Sequence, residues 1–161
     1  KTPVAAGAYE LDPSASVPKL VAEAREALGV SDDAAALYLQ MLALPSPTKK
    51  LVTQVTGWTS ARYEKAATEL SKKKWVIEGK RERSGRAVFL PGTWDKLQGV
   101  AMEGYKLALF QSVAFDEPML TVAPHEAYAR AWARWKSGDR PGFEDVEKKP
   151  KKAATKTKKG K

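Results

Sequence analysis

A change of hydrophobic period after Lys74 constrains this chain more than any other feature. Upstream of it apolar residues recur at helical spacing, and downstream they fall in short runs. Between residues 46 and 91 each piece can be read separately. Ser46-Pro47 reads as an N-cap followed by proline at the first helical position, where a missing N–H costs nothing. Leu51, Val52 and Val55 then share one face of a short helix, which Gly57 can end in the left-handed conformation. Thr59 caps the next helix, on which Tyr63, Ala66, Ala67 and Leu70 fall within about 100° of one another and form a core stripe. Trp75-Val76-Ile77 and Ala87-Val88-Phe89-Leu90 read as short strands joined by a polar loop containing glycine. The predicted order is helix, tight turn, helix and charged hairpin.

Charge is distributed unevenly along the chain. Residues 1–48 carry 3 basic and 6 acidic side chains, residues 49–86 carry 11 and 4, and residues 87–147 carry 6 and 9. Residues 148–161 hold 8 lysines and no acid, so this tail supplies most of the formal net charge of +9. What remains is a dipolar body, basic on one module and mildly acidic elsewhere, which would orient the protein on a polyanion.

The 161 residues leave room for one domain with a sizeable core. The longest apolar stretch, Ala34–Leu44, is broken only by Gln40 and is too short for a membrane span. It reads as a helix over 32–44, capped by Ser31 and buried on most sides. The absence of cysteine removes disulfides, thiolate metal sites and cysteine nucleophiles together, and fits a reducing cytoplasm. The chain starts at Lys1, without Met, so an upstream region is expected.

The rest of the chain divides as follows. Residues 1–18, with Pro3, Pro13 and Pro18, suggest a linker or arm. Residues 19–147 form the domain, with 46–91 as its core module. Pro18 to Gly29 is predicted helical, with Leu20, Val21, Ala24 and Leu28 on one side. Thr93 can cap a helix from Trp94 to about Ala114, with Leu97, Ala101, Tyr105, Ala108 and Leu109 at helical spacing despite Gly99 and Gly104. Asp116-Glu117-Pro118 breaks it. A last helix opens at Pro124, carries the stripe Tyr128, Trp132 and Trp135, and closes at Gly138. The tail 148–161 has nothing to bury and is expected to be disordered when unbound. The predicted fold class is thus mainly α with a small β-hairpin.

The order found in 46–91 resembles the DNA-binding half of the winged helix-turn-helix superfamily. The resemblance implies that the second helix enters the major groove by its N-terminal half. Opposite the core stripe of that helix lie Ala61, Arg62, Lys65, Thr68, Glu69 and Lys72. Arg62 is then the base-reading candidate, because its fork can pair bidentately with guanine. Lys65 and Thr68 are candidates for bases or phosphates, and Thr59 and Ser60 sit where backbone N–H groups favour phosphate. On the plainer alternative, Arg62 and Lys65 merely solvate an exposed face, paired with Glu64 and Glu69. In the wing, Lys80, Arg81, Arg83 and Arg86 crowd around Ser84-Gly85 and are candidates for the minor groove or flanking phosphates. The alternative there is a charged edge that keeps a hairpin soluble. Lys49 and Lys50 open their helix, where the dipole disfavours cations, which points to phosphate. Lys72-Lys73-Lys74 is explained by the opposite end of the dipole. Trp75 and Phe89 are expected to plug the sheet onto the helices, and Trp58, in the turn, to be exposed.

Catalysis finds little support: His125 is the single histidine, no phosphate-cradling glycine loop follows a strand, and no cofactor is implied. The expected function is double-stranded DNA binding, regulatory or DNA-organising, in the cytoplasm at the nucleoid. The tail would add affinity by releasing counterions. Its layout, a body followed by a Lys/Ala/Pro tail, is similar to that of linker histones. The segments LALPSPT, TGWTSARYEKAATEL, RSGRAVFLPGTW and AWARWKSGD are similar to the C-terminal region of large bacterial proteins of molybdate-regulator-like type, which implies a longer parent protein. The competing expectation is a protein-interaction module in a larger assembly, whose tail alone touches nucleic acid. The helices 94–114 and 124–137 carry enough apolar surface either to close the core or to form a homodimer.

Overall fold

The computed structural model describes residues 10–44, 46–81, 84–97, 100–106 and 123–141. Arg83, residues 107–114 of the helix expected from Trp94 and the lysine tail lie outside these. Within the described residues the fold is mainly helical with two small antiparallel hairpins. None of these helices is long and apolar enough to cross a membrane.

Helix α3 (Asp32–Ala43) is the centre of the fold, with every residue from Ala34 to Ala43 buried. Ser31 caps it, as expected, by accepting from the Ala34 N–H at 3.2 Å. A helix apolar on all sides has to be surrounded, and α2 (Pro18–Leu28), α5 (Ser60–Lys72) and α6 (Pro124–Lys136) pack around it. Val21, Ala24 and Leu28 form the buried face of α2. The expected stripes of α5 and α6 are buried as well. Residues 10–17, inside the stretch read as an arm, join the body: Asp12 caps the short α1 (Pro13–Ser16), and the Tyr128 hydroxyl donates to the Leu11 carbonyl. Proline spacing alone did not show that a tyrosine on the last helix would hold this segment down.

Aromatic rings fill the space between α6 and the module. Trp132 stacks on Trp135 at 4.6 Å and 11°, Trp135 meets Trp75 at 5.7 Å, and Trp75 meets Tyr38 at 6.2 Å. Each indole N–H in the group is satisfied, Trp75 by the Leu28 carbonyl at 3.0 Å, Trp135 by the Tyr38 hydroxyl at 3.2 Å and Trp132 by Glu23 at 3.0 Å. The apolar stripe of α6 therefore closes the core of its own chain.

Helix α4 (Lys49–Thr56) starts two residues later than the sequence suggested. Thr48, not Ser46, caps it by accepting from the Leu51 N–H at 3.0 Å, and Pro47 precedes the helix. Both positions carry a hydroxyl, but Thr48 can also close on the hairpin loop, since the Lys49 N–H donates to the Gly85 carbonyl at 3.1 Å. Gly85 has φ +66, and a Cβ there would lie 2.8 Å from Thr48 Cγ2, so only glycine fits. Gly57 ends α4 at φ +77 and Thr59 caps α5, both as expected.

Strand β1 (Ile77–Glu78) pairs antiparallel with β2 (Val88–Phe89), with Ile77 opposite Phe89. The expected strand at Trp75 is shortened because Lys74 and Trp75 are used to end α5. Lys74 adopts φ +67, its N–H donates to the Ser71 carbonyl, and the Trp75 N–H donates to the Leu70 carbonyl. This is a Schellman closure with lysine where glycine is usual.

The largest correction concerns residues 94–103, expected to be helical. They form a second antiparallel hairpin, β3 (Trp94–Leu97) with β4 (Val100–Glu103), in the register Trp94↔Glu103 to Leu97↔Val100. The i, i+4 spacing of Leu97 and Ala101 was coincidental. The sequence signal against the helix was Gly99 and Gly104, both poor helix formers. Gly104 confirms the close approach, since a Cβ there would lie 2.1 Å from Thr93 Oγ1.

The left-handed Lys74 yields a test. Relieving a left-handed lysine should gain about 1 kcal/mol. Lys74→Gly is therefore expected to raise Tm by about 2–4 °C, measured by thermal melting; an unchanged or lower Tm would show that the exposed closure carries no strain.

Candidate nucleic-acid interface

Helix α5 displays three zones around its axis. At about 100° per residue, the buried Tyr63, Ala66, Ala67 and Leu70 centre on one side. Ala61, Lys65, Thr68 and Lys72 stand opposite, all four exposed. They line a shallow open groove together with Glu64 and Glu69. Arg62 and Glu69 lie on one flank between these faces, and Glu64 lies on the other.

Both flanks are occupied by contacts within the chain. Arg62 Nε and Nη2 donate to the two Asp33 carboxylate oxygens at 2.6 and 3.0 Å, and its guanidinium lies 5.3 Å from the Trp58 ring centre. The hydrogen bond to Asp33 raises the Arg62 pKa further. Seven residues on, Glu69 accepts from the Ser31 N–H at 2.8 Å and from its hydroxyl at 2.6 Å. The N-terminus of α3 is thus gripped at two points two turns apart. On the opposite flank Glu64 accepts from Lys49 Nζ at 2.7 Å, while that ammonium lies 5.8 Å from the Tyr63 ring centre. Trp58, expected to be exposed, is 8% exposed and belongs to the core.

The arginines of the hairpin have different surroundings from those the sequence suggested. Arg86 is buried, and its two terminal nitrogens donate to the Glu103 carboxylate at 2.7 and 2.8 Å. Glu103 also accepts from the Leu90 N–H at 3.1 Å and from Lys106 Nζ at 2.9 Å. Lys106 donates as well to the Leu44 carbonyl at 2.6 Å. The Arg81 guanidinium lies over Phe89 at 4.7 Å and Trp94 at 5.1 Å, rings that Arg86 also faces. Arg81 is half-buried, and burial lowers its pKa.

Burial alone would raise the Glu103 carboxyl, but Lys106 and Arg86 outweigh it and hold it at about 2. Burial pushes Lys106 down to about 8, against the opposing pull of Glu103. With their side chains at most 1% exposed, Arg86, Glu103 and Lys106 form a buried ion network.

Of the expected site residues, Lys49 and Arg62 are tied to carboxylates, Arg81 is stacked and Arg86 is buried as a strut. The Arg86 expectation is therefore corrected: the density of basic residues around Ser84-Gly85 partly reflects a buried counter-ion. Thr59 uses its side-chain oxygen to accept the Arg62 N–H at 3.1 Å, and Ser60 is exposed beside it. Lys50, Lys65, Thr68 and Lys80 are exposed, and among the described residues the three lysines form no ion pair. Asp33, Glu103 and Lys106 were not singled out from the sequence. Asp33 lies 29 residues from Arg62 and Glu103 lies 17 residues from Arg86, so no local spacing links either pair, and Lys106 joins through Glu103, three residues before it.

No protein-family model, curated protein or solved structure matches the chain.

Breaking the buried network tests the structural role. Removing one partner of a buried pair costs about 3–5 kcal/mol, so Glu103→Gln and Arg86→Ala should each lower Tm on the order of 10 °C. The Glu103 carboxyl lies below its ordinary 4.5 in the folded chain. Its stabilisation is therefore fully present above that pH and is lost as pH falls from 4.5 towards about 2. Urea titrations of the wild type should show this acid loss, and Glu103→Gln should flatten it. Equal acid slopes in the two proteins would remove Glu103 from the account.

Proposed function

We propose that α4, α5 and the β1–β2 hairpin form a winged helix-turn-helix that binds double-stranded DNA. The observation that carries this reading is the outward face of α5, where Lys65, Thr68 and Lys72 project while both acids of the helix are engaged on its flanks. Two features of the module support it. The hairpin loop is hydrogen-bonded to the start of α4, so the loop and the helix pair would meet a duplex as one surface. Exposed Lys50 and Lys80 add charge on the preceding helix and in the loop. The C-terminal lysines supply affinity that does not depend on sequence. Such a protein would act in the cytoplasm at the nucleoid, in a regulatory or DNA-organising role.

A second reading is favoured by one observation: Arg62, Arg81 and Arg86 are all engaged within the chain. The module would then dock a protein partner in a larger assembly, and only the tail would contact nucleic acid.

Duplex binding by the full chain, followed by fluorescence anisotropy across a salt series, separates the two. The comparison is with a variant of the same 161 residues whose 8 tail lysines are serine. Under the DNA reading the variant still binds, with a salt slope of about 0.9 for each phosphate contacted, over several phosphates. Loss of all binding in the variant would leave the docking reading in its place.

A further inference from the structure

The arrangement of α5 bears on how such a module would use DNA. Discrimination between base pairs rests on groups that make two-point contacts with base edges: a planar guanidinium on guanine, an amide on adenine, a carboxylate on cytosine. On α5 the groups of this kind are Arg62, Glu64 and Glu69, and each is held on a flank by its own chain, by Asp33, Lys49 and Ser31 respectively. The outward row holds a methyl group, a hydroxyl and two ammonium groups. An ammonium on a flexible stem is a point charge without a fork, suited to phosphate. A lone hydroxyl both donates and accepts, so every base edge can satisfy it.

Releasing Arg62 would not restore a reader at little cost. Its carboxylate partner, Asp33, sits on the same surface at 2.6 Å, and Asp12 adds a second negative field at the arginine. An arginine turned towards guanine would leave Asp33 uncompensated next to phosphates and to the acceptor atoms of the base. The Trp58 ring beneath the guanidinium further fixes its present position.

We infer that the module engages duplex DNA through its phosphates without selecting a base sequence, with Lys65 and Lys72 of α5 and Lys50 of α4 as contacts and Arg62 as a strut between α5 and α3. This rests on the DNA reading above and names its partner class: any duplex, recognised by charge and shape. Ala61, between the lysine row and the start of the helix, allows close approach to the backbone. The role it implies is organising or scanning DNA rather than marking a site.

The test uses the 161-residue chain with its tail lysines changed to serine, so that the tail cannot mask the body. Successive rounds of selection from a randomised duplex pool are expected to enrich no motif, and duplexes of contrasting composition should bind equally. Lys65→Ala with Lys72→Ala should reduce the salt slope by about two. Arg62→Lys, which keeps the charge and loses the fork, should leave affinity and slope unchanged, and Asp33→Asn should create no preference. An enriched motif whose preference disappears in Arg62→Lys would overturn the inference while sustaining the DNA reading. Absence of any duplex binding at low salt would overturn both, and is recognisable because the unsubstituted body then fails as well.

Discussion

A carboxylate removed from water has to be answered on its lone pairs, and Glu103 is answered four times: twice by Arg86, once by the Leu90 N–H and once by Lys106. Through these contacts one side chain ties the β1–β2 hairpin to β4, and Lys106 carries the link to the carbonyl at the end of α3. The desolvation cost of three buried ionic groups is large, and their mutual contacts answer it while joining the two hairpins. The orientation of the first hairpin against α4, with Gly85 seated on Thr48, rests on this anchor.

The helical half of the chain was legible because its signals are local. Ser31 and Thr59 cap the helices predicted for them, Gly57 ends α4, and the apolar positions of α2, α3, α5 and α6 fall on their buried faces. The second hairpin was not legible, because Leu97, Ala101 and Tyr105 satisfy a helical template by accident. What favours the strand form is a distant demand: Glu103 opposite Trp94 lies within reach of Arg86. Lys74 is a similar case. A left-handed lysine is costly by local preference, and the chain accepts it because Trp75 then reaches Leu28, Tyr38 and Trp135 in the core.

The candidate interface was legible as a helix face and not as a set of charges. The sequence locates Lys65, Thr68 and Lys72 on the outer side of α5 by periodicity alone, and they are exposed there. Periodicity also groups Arg62 with them, yet at roughly 90° from the middle of that face a long side chain can turn either outward or along the flank. Asp33 decides between these, and its position at the N-terminus of α3 becomes adjacent only once α3 and α5 have packed. The same holds for Arg86, which is indistinguishable in sequence from a solvent-facing wing arginine until β4 brings Glu103 beside it.

Basic density along a chain therefore overstates basic density at its surface. Within the module, Arg62 and Lys49 are opposed by carboxylates, Arg86 is enclosed, and Arg81 covers two aromatic rings. The module's described guanidiniums, on Arg62, Arg81 and Arg86, bind their partners by a fork or a stacked face, tolerate partial desolvation and have been drawn into structure. The ammonium groups, more strongly hydrated and harder to bury, remain outside on Lys50, Lys65, Lys72 and Lys80. Lys49 is paired with Glu64, and Lys106 is buried, its depressed pKa of about 8 reflecting the cost of that burial. A surface sorted in this way keeps long-range attraction for a polyanion while giving up the planar groups that distinguish one base pair from another. Charge that looks like recognition in the sequence is divided by folding into a part that holds the module together and a part left exposed to solvent.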